Sequence, residues 1–474
     1  VELEPLIRPQ REGWFSTLAK VTAVALGAIY SLFPTSASSS NRAHQVVVAP
    51  VPNQSQIEQV RKWTDQYPEI SWLANADVRK TEEAQASLQG TYSEQLFGEK
   101  FVEFDRTIMT LRCLHLILDG SETAYQEFTK AQPEEIRLSR ESFKGLHAQG
   151  AELSDRFGMQ AMEAALVLGD IGKSEKARAI FKSYGAKAPD HDDFHGEVMQ
   201  ILQEHPTLCP TFDRLPPAAK ALLSQTANLA HYGHITHLEG GPSMFSKLKD
   251  SGVLPEALAF DFFVHTCDVA GALGHVNNQS SLVYTEQSHW AMQAVAKACK
   301  ELITKPQMTE MDAYNAYLTQ RAVWLNLNGM DRLDRALTRM GAMLRLFTST
   351  EGEVLKKSIL KLPAEDQAKI TTQLNAEEGR DLERTPTYMP AVLVNLANNL
   401  VLGSSKEERL EKAVQLGLPF LARVLEQHKR DLKEGRAIHN IPLNFNKAAG
   451  VAKATPNALL SAFTIDQDGN VLIL

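Results

Sequence analysis

Apolar residues recur at three-and-four spacing along nearly the whole chain, which is the period of helices that bury one face. The pattern predicts helices over Ile57 to Tyr67 and Val78 to Leu88, then a more apolar and buried one from Phe101 to Leu118. Pro133-Glu134-Glu135 opens another toward His147, with proline in the first turn and acids facing the helix dipole. A strongly apolar helix around Ala164 to Leu168 stops at Gly169-Asp170-Ile171-Gly172-Lys173, and a second runs from Ser174 to Tyr184-Gly185. Further helices are expected over Glu197 to Glu204, after Pro216-Pro217 on a segment carrying His231, His234 and His237, and over Phe260 to Gly274. Met308 to Phe347 reads as an amphipathic pair, Pro363 opens the next helix, and residues 350–450 continue as helices broken near Pro386, Pro390 and Gly403. Period-two alternation is confined to Phe463-Thr464-Ile465 and Val471-Leu472-Ile473 around Asp468-Gly469, a hairpin signal. The expected fold is all-α with a short terminal β-hairpin.

Residues 1–50 differ from the rest. Arg8, Arg11 and Lys20 precede the apolar run Val21 to Phe33, and a serine-rich stretch follows Pro34. Thirteen apolar-run residues are short for a bilayer span. The parts are those of a secretory signal, and equally those of a short packed helix with a linker. Membrane contact is expected only through this segment, with export if residues 1–40 act as a signal and a cytoplasmic protein otherwise. The remaining chain divides into a helical domain over 51–300 and a C-terminal helical region over 301–474.

Composition narrows the chemistry. With 474 residues, 43% of them hydrophobic, the chain is long enough for a large core. A net charge of -8 gives no overall attraction to nucleic acid, and none is expected as a partner. Cys113, Cys209, Cys267 and Cys299 are scattered without a CxxC, which argues against a disulfide framework or a cysteine-rich zinc site. Histidine is more telling, because eight of the 14 lie between His191 and His275.

Acids and imidazoles at a helix end beside a glycine turn suit a divalent ion. Asp170, Asp190, His191, Asp192, Asp193 and His195 gather in this way. The stretch AALVLGDIGK at 164–173, and Phe262 to Ala272 with His265 and Asp268, resemble two ligand-bearing helices of the HD metal-hydrolase superfamily. Gly169 stands where that superfamily has histidine. The resemblance implies an HD-like helical bundle in which Asp170 and Asp268 bind metal across a pocket, 98 positions apart. It also implies His147 as the first histidine, with His115 as runner-up. His191, His195, His231 and His234 are the donors available to replace the missing imidazole, and at least two of them are expected in the same pocket as the two acids.

Spacing adds detail. His231 and His234 share a helix face, while His237 is turned by roughly 120 degrees from His231. His265, Asp268 and His275 fall on one stripe, and His275 also suits a capping role. Asp170 and Lys173 are the candidate catalytic residues, Lys173 as a point charge toward a phosphate. Arg332, Arg335, Arg339 and Arg345 either bind an anion or form a solvated face paired with Asp331 and Asp334. The function implied is hydrolysis of a small phosphorylated substrate, a phosphate ester or nucleotide, assisted by Mn, Mg, Zn or Fe. Two alternatives stand beside it: a di-iron oxygenase of the same fold, and a binding or scaffold protein whose catalytic site has decayed.

Overall fold

The computed structural model describes residues 51–74, 90–188, 191–375, 384–437 and 441–474, without the side chains of 191 and 192. The N-terminal segment 1–50, the helix expected over Val78–Leu88 and Asp190 lie outside the described residues. The described chain is mostly helical. Its regular strands are Phe463–Ile465 and Val471–Ile473, an antiparallel hairpin with Phe463 opposite Ile473.

The helix Val102–Asp119 is the axis of the N-terminal part. Most of its residues are buried, and the helices Glu122–Thr129, Arg140–Phe157, Met159–Gly169 and Pro255–Gly271 pack on it. Its closest partner is Pro255–Gly271, and two glycines make that approach feasible. A Cβ on Gly271 would stand 2.4 Å from the Thr110 backbone nitrogen, and one on Gly274 would stand 2.4 Å from the Asp105 carbonyl oxygen. Local capping fixes the other entries: Ser139 accepts from Ser142 N, and Ser174 from Ala177 N.

One departure from expectation matters for the site. The three-histidine segment is not one helix. Pro217–Thr226 ends before the histidines, Asn228 takes a left-handed conformation at φ 60°, and a separate short helix covers Tyr232–Thr236. Asparagine tolerates that conformation well, so the break is locally encoded.

Buried apolar residues form two clusters. The first gathers Ile57 through Leu318, with Ala342, and the second runs from Leu325 to Val471. The helix Glu310–Trp324, assigned from sequence to the C-terminal region, gives Ala313, Tyr314, Tyr317 and Leu318 to the first cluster.

Arginines stitch the clusters together. Arg321 donates to the carbonyls of Gly341 and Leu346, and its guanidinium lies 4.1 Å from the Phe347 ring centre. Arg339 donates to Leu238 O, Glu239 O and Leu374 O, and Arg335 to Asn315, Asn375 and Gly329 O. Both expectations for the arginine stripe are therefore corrected at Arg335 and Arg339. They are buried and engaged with protein oxygens, because backbone carbonyls at helix ends need donors that water cannot reach.

The glycine contact yields a paired prediction. Gly271→Ala should lower stability by about 2 kcal/mol, as overpacking does. Gly145→Ala, mid-helix and facing open space, should raise it by about 0.5–1 kcal/mol. Urea unfolding of the two variants checks the opposite signs.

A histidine-lined cavity as candidate functional site

Six segments converge on a cavity of about 330 Å³, among them the helix Pro217–Thr226 through Leu223 and Thr226. The end of Met159–Gly169 brings Leu166 and Gly169, and the following 3-10 turn, Ile171–Lys173, sets Lys173 beside Asp170. The helix His191–Glu204 contributes His195, and the segment after Thr226 contributes Asn228 and His231. Tyr232–Thr236 contributes Tyr232 and His234, and Pro255–Gly271 contributes Asp261, Val264, His265 and Asp268. These last four occupy one face of their helix, at spacings of three, four and seven.

Asp170, Lys173, His195, His231, His234 and Asp268 thus line a single cavity. The His231 and His234 rings are 5.4 Å apart, and His265 lies 5.2 Å from the Tyr232 ring. His147 is elsewhere: its Nδ1 is 3.0 Å from Ile117 O, near the end of the central helix. His191 begins its helix, but its side chain is outside the described residues. His115 contacts Glu163, which also accepts from Tyr67, and His275 is buried near Arg106 and Glu103. Burial and Arg106 push the His275 imidazole down to about 3, so it stays neutral. His237 lies close to Arg345 and Arg321, and burial together with those cations drives its imidazole well below the usual range.

Asp170 and Glu103 are already matched by side-chain cations. Lys173 Nζ donates to Asp170 Oδ1 at 2.8 Å and to Glu103 Oε2 at 3.0 Å. Arg106 pairs with the other Glu103 oxygen at 2.5 Å. Burial works against charge on Lys173, yet Asp170 and Glu103, with Asp268 behind them, hold its pKa above the ordinary lysine value. Burial also penalises the Glu103 carboxylate, and Arg106 and Lys173 outweigh that penalty, keeping it down at about 2. Among the described residues no such cation pairs with Asp261. Burial pushes its carboxyl up to about 7, although the Tyr232 hydroxyl donates to it at 2.7 Å.

This arrangement corrects the expectation of a divalent metal. Among the described residues, no group of three or more histidine, cysteine, aspartate or glutamate side chains is placed to hold an ion. The physical reason is visible at the turn: the Lys173 ammonium sits where a cation would neutralise Asp170. The imidazoles line the same cavity without forming a ligand set with the acids. The expected Mn, Mg, Zn or Fe cofactor is thereby corrected. The four cysteines are free and buried. Among the described residues no helix is long and apolar enough to cross a membrane.

The chain belongs to a family of unknown function, DUF6829, whose model matches residues 60–454. No curated protein and no solved structure matches it. The family match names no function and offers no support for an HD-domain relation, and the metal-binding part of that reading is corrected by the absence of a metal group among the described residues.

Sequence reasoning missed Asp261, Tyr232 and Glu103 as parts of the site. Asp261 was legible in principle, since it stands four positions before His265 and seven before Asp268 on one face. Glu103 had no local signal, because it reaches Lys173 from a helix 70 positions earlier.

Lys173→Met should destabilise the protein by about 3 kcal/mol at pH 7, since it leaves two largely buried acids short of a partner. Glu103 is depressed in the folded state, so its contribution is present above the ordinary carboxylate value and lost as pH falls toward 2. The difference between wild type and variant should therefore shrink as pH falls from about 4.5 toward 2, the range in which the Glu103 carboxyl protonates first in the unfolded and then in the folded chain. Urea titrations at several pH values check both size and trend.

Proposed function

We propose that the cavity binds a small phosphate-bearing molecule, with its imidazoles facing the phosphate. The observation that carries this reading is the convergence of His195, His231, His234 and His265 on one cavity. Imidazole N–H groups donate to phosphate oxygens, and a phosphate favours the charged form of a nearby histidine.

The charge balance supports the same direction. Asp170 and Glu103 are paired with Lys173 and Arg106, and Asp261 holds its proton up to about pH 7. The cavity therefore offers an anion more donors than unmatched carboxylates. Asp268 and Asn228 supply polar contacts for the rest of such a ligand, its hydroxyl groups in particular. Leu166, Met199, Leu223 and Val264 give the apolar wall common to small-molecule sites, and the volume lies at the lower end of the usual range of about 300–1,000 Å³. The reading takes up the binding-protein alternative and requires no metal.

A ligand that binds only the folded state raises the unfolding midpoint. Sugar phosphates and nucleoside monophosphates, tested with a chelator present, should raise it by several degrees at saturation, and their unphosphorylated counterparts should not. Equal shifts with and without the phosphate, or none with either, would refute the reading.

A further inference from the structure

The cavity's His234 is backed by a carboxylate that does not itself line the cavity. Glu239 Oε2 lies 2.9 Å from His234 Nδ1, and Glu239 is buried, with a side chain only 10% exposed. His234 lines the cavity and Glu239 does not, so the ring edge away from Nδ1 is the one turned to the ligand space. The groups around this pair are His231 at 5.4 Å ring to ring, His237 from the same segment, and Arg345 from the second cluster's side, whose charge acts on Glu239.

The backbone behind Glu239 is held as firmly. Arg339 donates to Leu238 O and Glu239 O at 2.9 Å each, and the Tyr317 hydroxyl donates to Thr236 O at 2.7 Å. Leu238 takes a positive φ of 48°, which turns the chain so that Glu239 folds back beneath His234. A non-glycine residue in that region persists only where its surroundings enforce it.

We propose that Glu239 is a positioning residue of the cavity: its carboxylate orients the His234 imidazole through Nδ1–H and favours the doubly protonated ring, whose Nε2–H then donates to the ligand's phosphate. The helix Arg332–Met343 holds Glu239 in place through Arg339. The inference rests on the phosphate reading of the cavity. A carboxylate behind a ligand-binding imidazole sets its orientation and favours its charged form, in which both ring nitrogens carry a proton to donate. Glu239→Ala removes the acceptor, whereas Glu239→Gln keeps a carbonyl oxygen at the same reach.

The test combines binding of inorganic phosphate with proton NMR of imidazole N–H groups. The wild type should show a downfield, hydrogen-bonded Nδ1–H resonance, assigned by its loss in His234→Asn. In Glu239→Ala that resonance should disappear and phosphate affinity should fall about tenfold or more, as expected for a lost charge-assisted hydrogen bond. Glu239→Gln should restore the resonance and part of the affinity, because it keeps the acceptor and loses the charge. Glu239→Ala binding phosphate as tightly as wild type would overturn the positioning role and leave the phosphate reading standing. Absence of the resonance from wild type would overturn it too, whether or not the alanine variant folds. A wild type that binds no phosphate overturns the reading of the cavity itself.

Discussion

The close contact between the helices Val102–Asp119 and Pro255–Gly271 is the constraint on which the rest depends. Gly271 and Gly274 lie close against the backbone of Thr110 and Asp105, where a Cβ would stand 2.4 Å from Thr110 N or Asp105 O. That approach brings Glu103, at the start of one helix, within reach of the turn bearing Lys173. It also sets the face of Asp261, Val264, His265 and Asp268 opposite the end of Met159–Gly169. Close packing of this kind leaves little room for adjustment, since interiors are packed at crystal-like density.

Within that frame, the identity of one cation decides the character of the site. Asp170 beside a glycine turn is a metal-ligand pattern when read along the chain. In space it is an ion pair, because Lys173 lies three positions on and Glu103 completes its coordination from another helix. An ammonium among carboxylates satisfies them without an ion from solution. On the reading proposed above, the imidazoles then remain as the groups that meet the ligand.

The helical fold and the terminal hairpin were legible because both rest on local periodicity and turn chemistry, as at Asp468-Gly469. The grouping of Asp170, Lys173, His195, His231, His234 and Asp268 around one cavity was anticipated through the likeness of two stretches to ligand-bearing helices, although the metal role implied by that likeness was not borne out. The occupant of that cavity was not legible. The Lys173–Glu103 contact, the break at Asn228 and the burial of Arg335 and Arg339 depend on residues distant in sequence or on a single backbone angle. His147 shows the same limit from the other side. Its spacing from Asp170 suited a ligand, yet a carbonyl of the central helix lies within hydrogen-bonding reach of it.

The central claim is a metal-free anion site built from imidazoles, and it can be tested by locating an anion directly. Tungstate is a heavy tetrahedral stand-in for phosphate with strong anomalous scattering. In crystals soaked with it in the presence of a chelator, the account predicts an anomalous peak inside the cavity, within hydrogen-bonding distance of His231, His234 or His265. A cavity without such a peak, or a native crystal with an anomalous metal peak between Asp170 and Asp268, would contradict it.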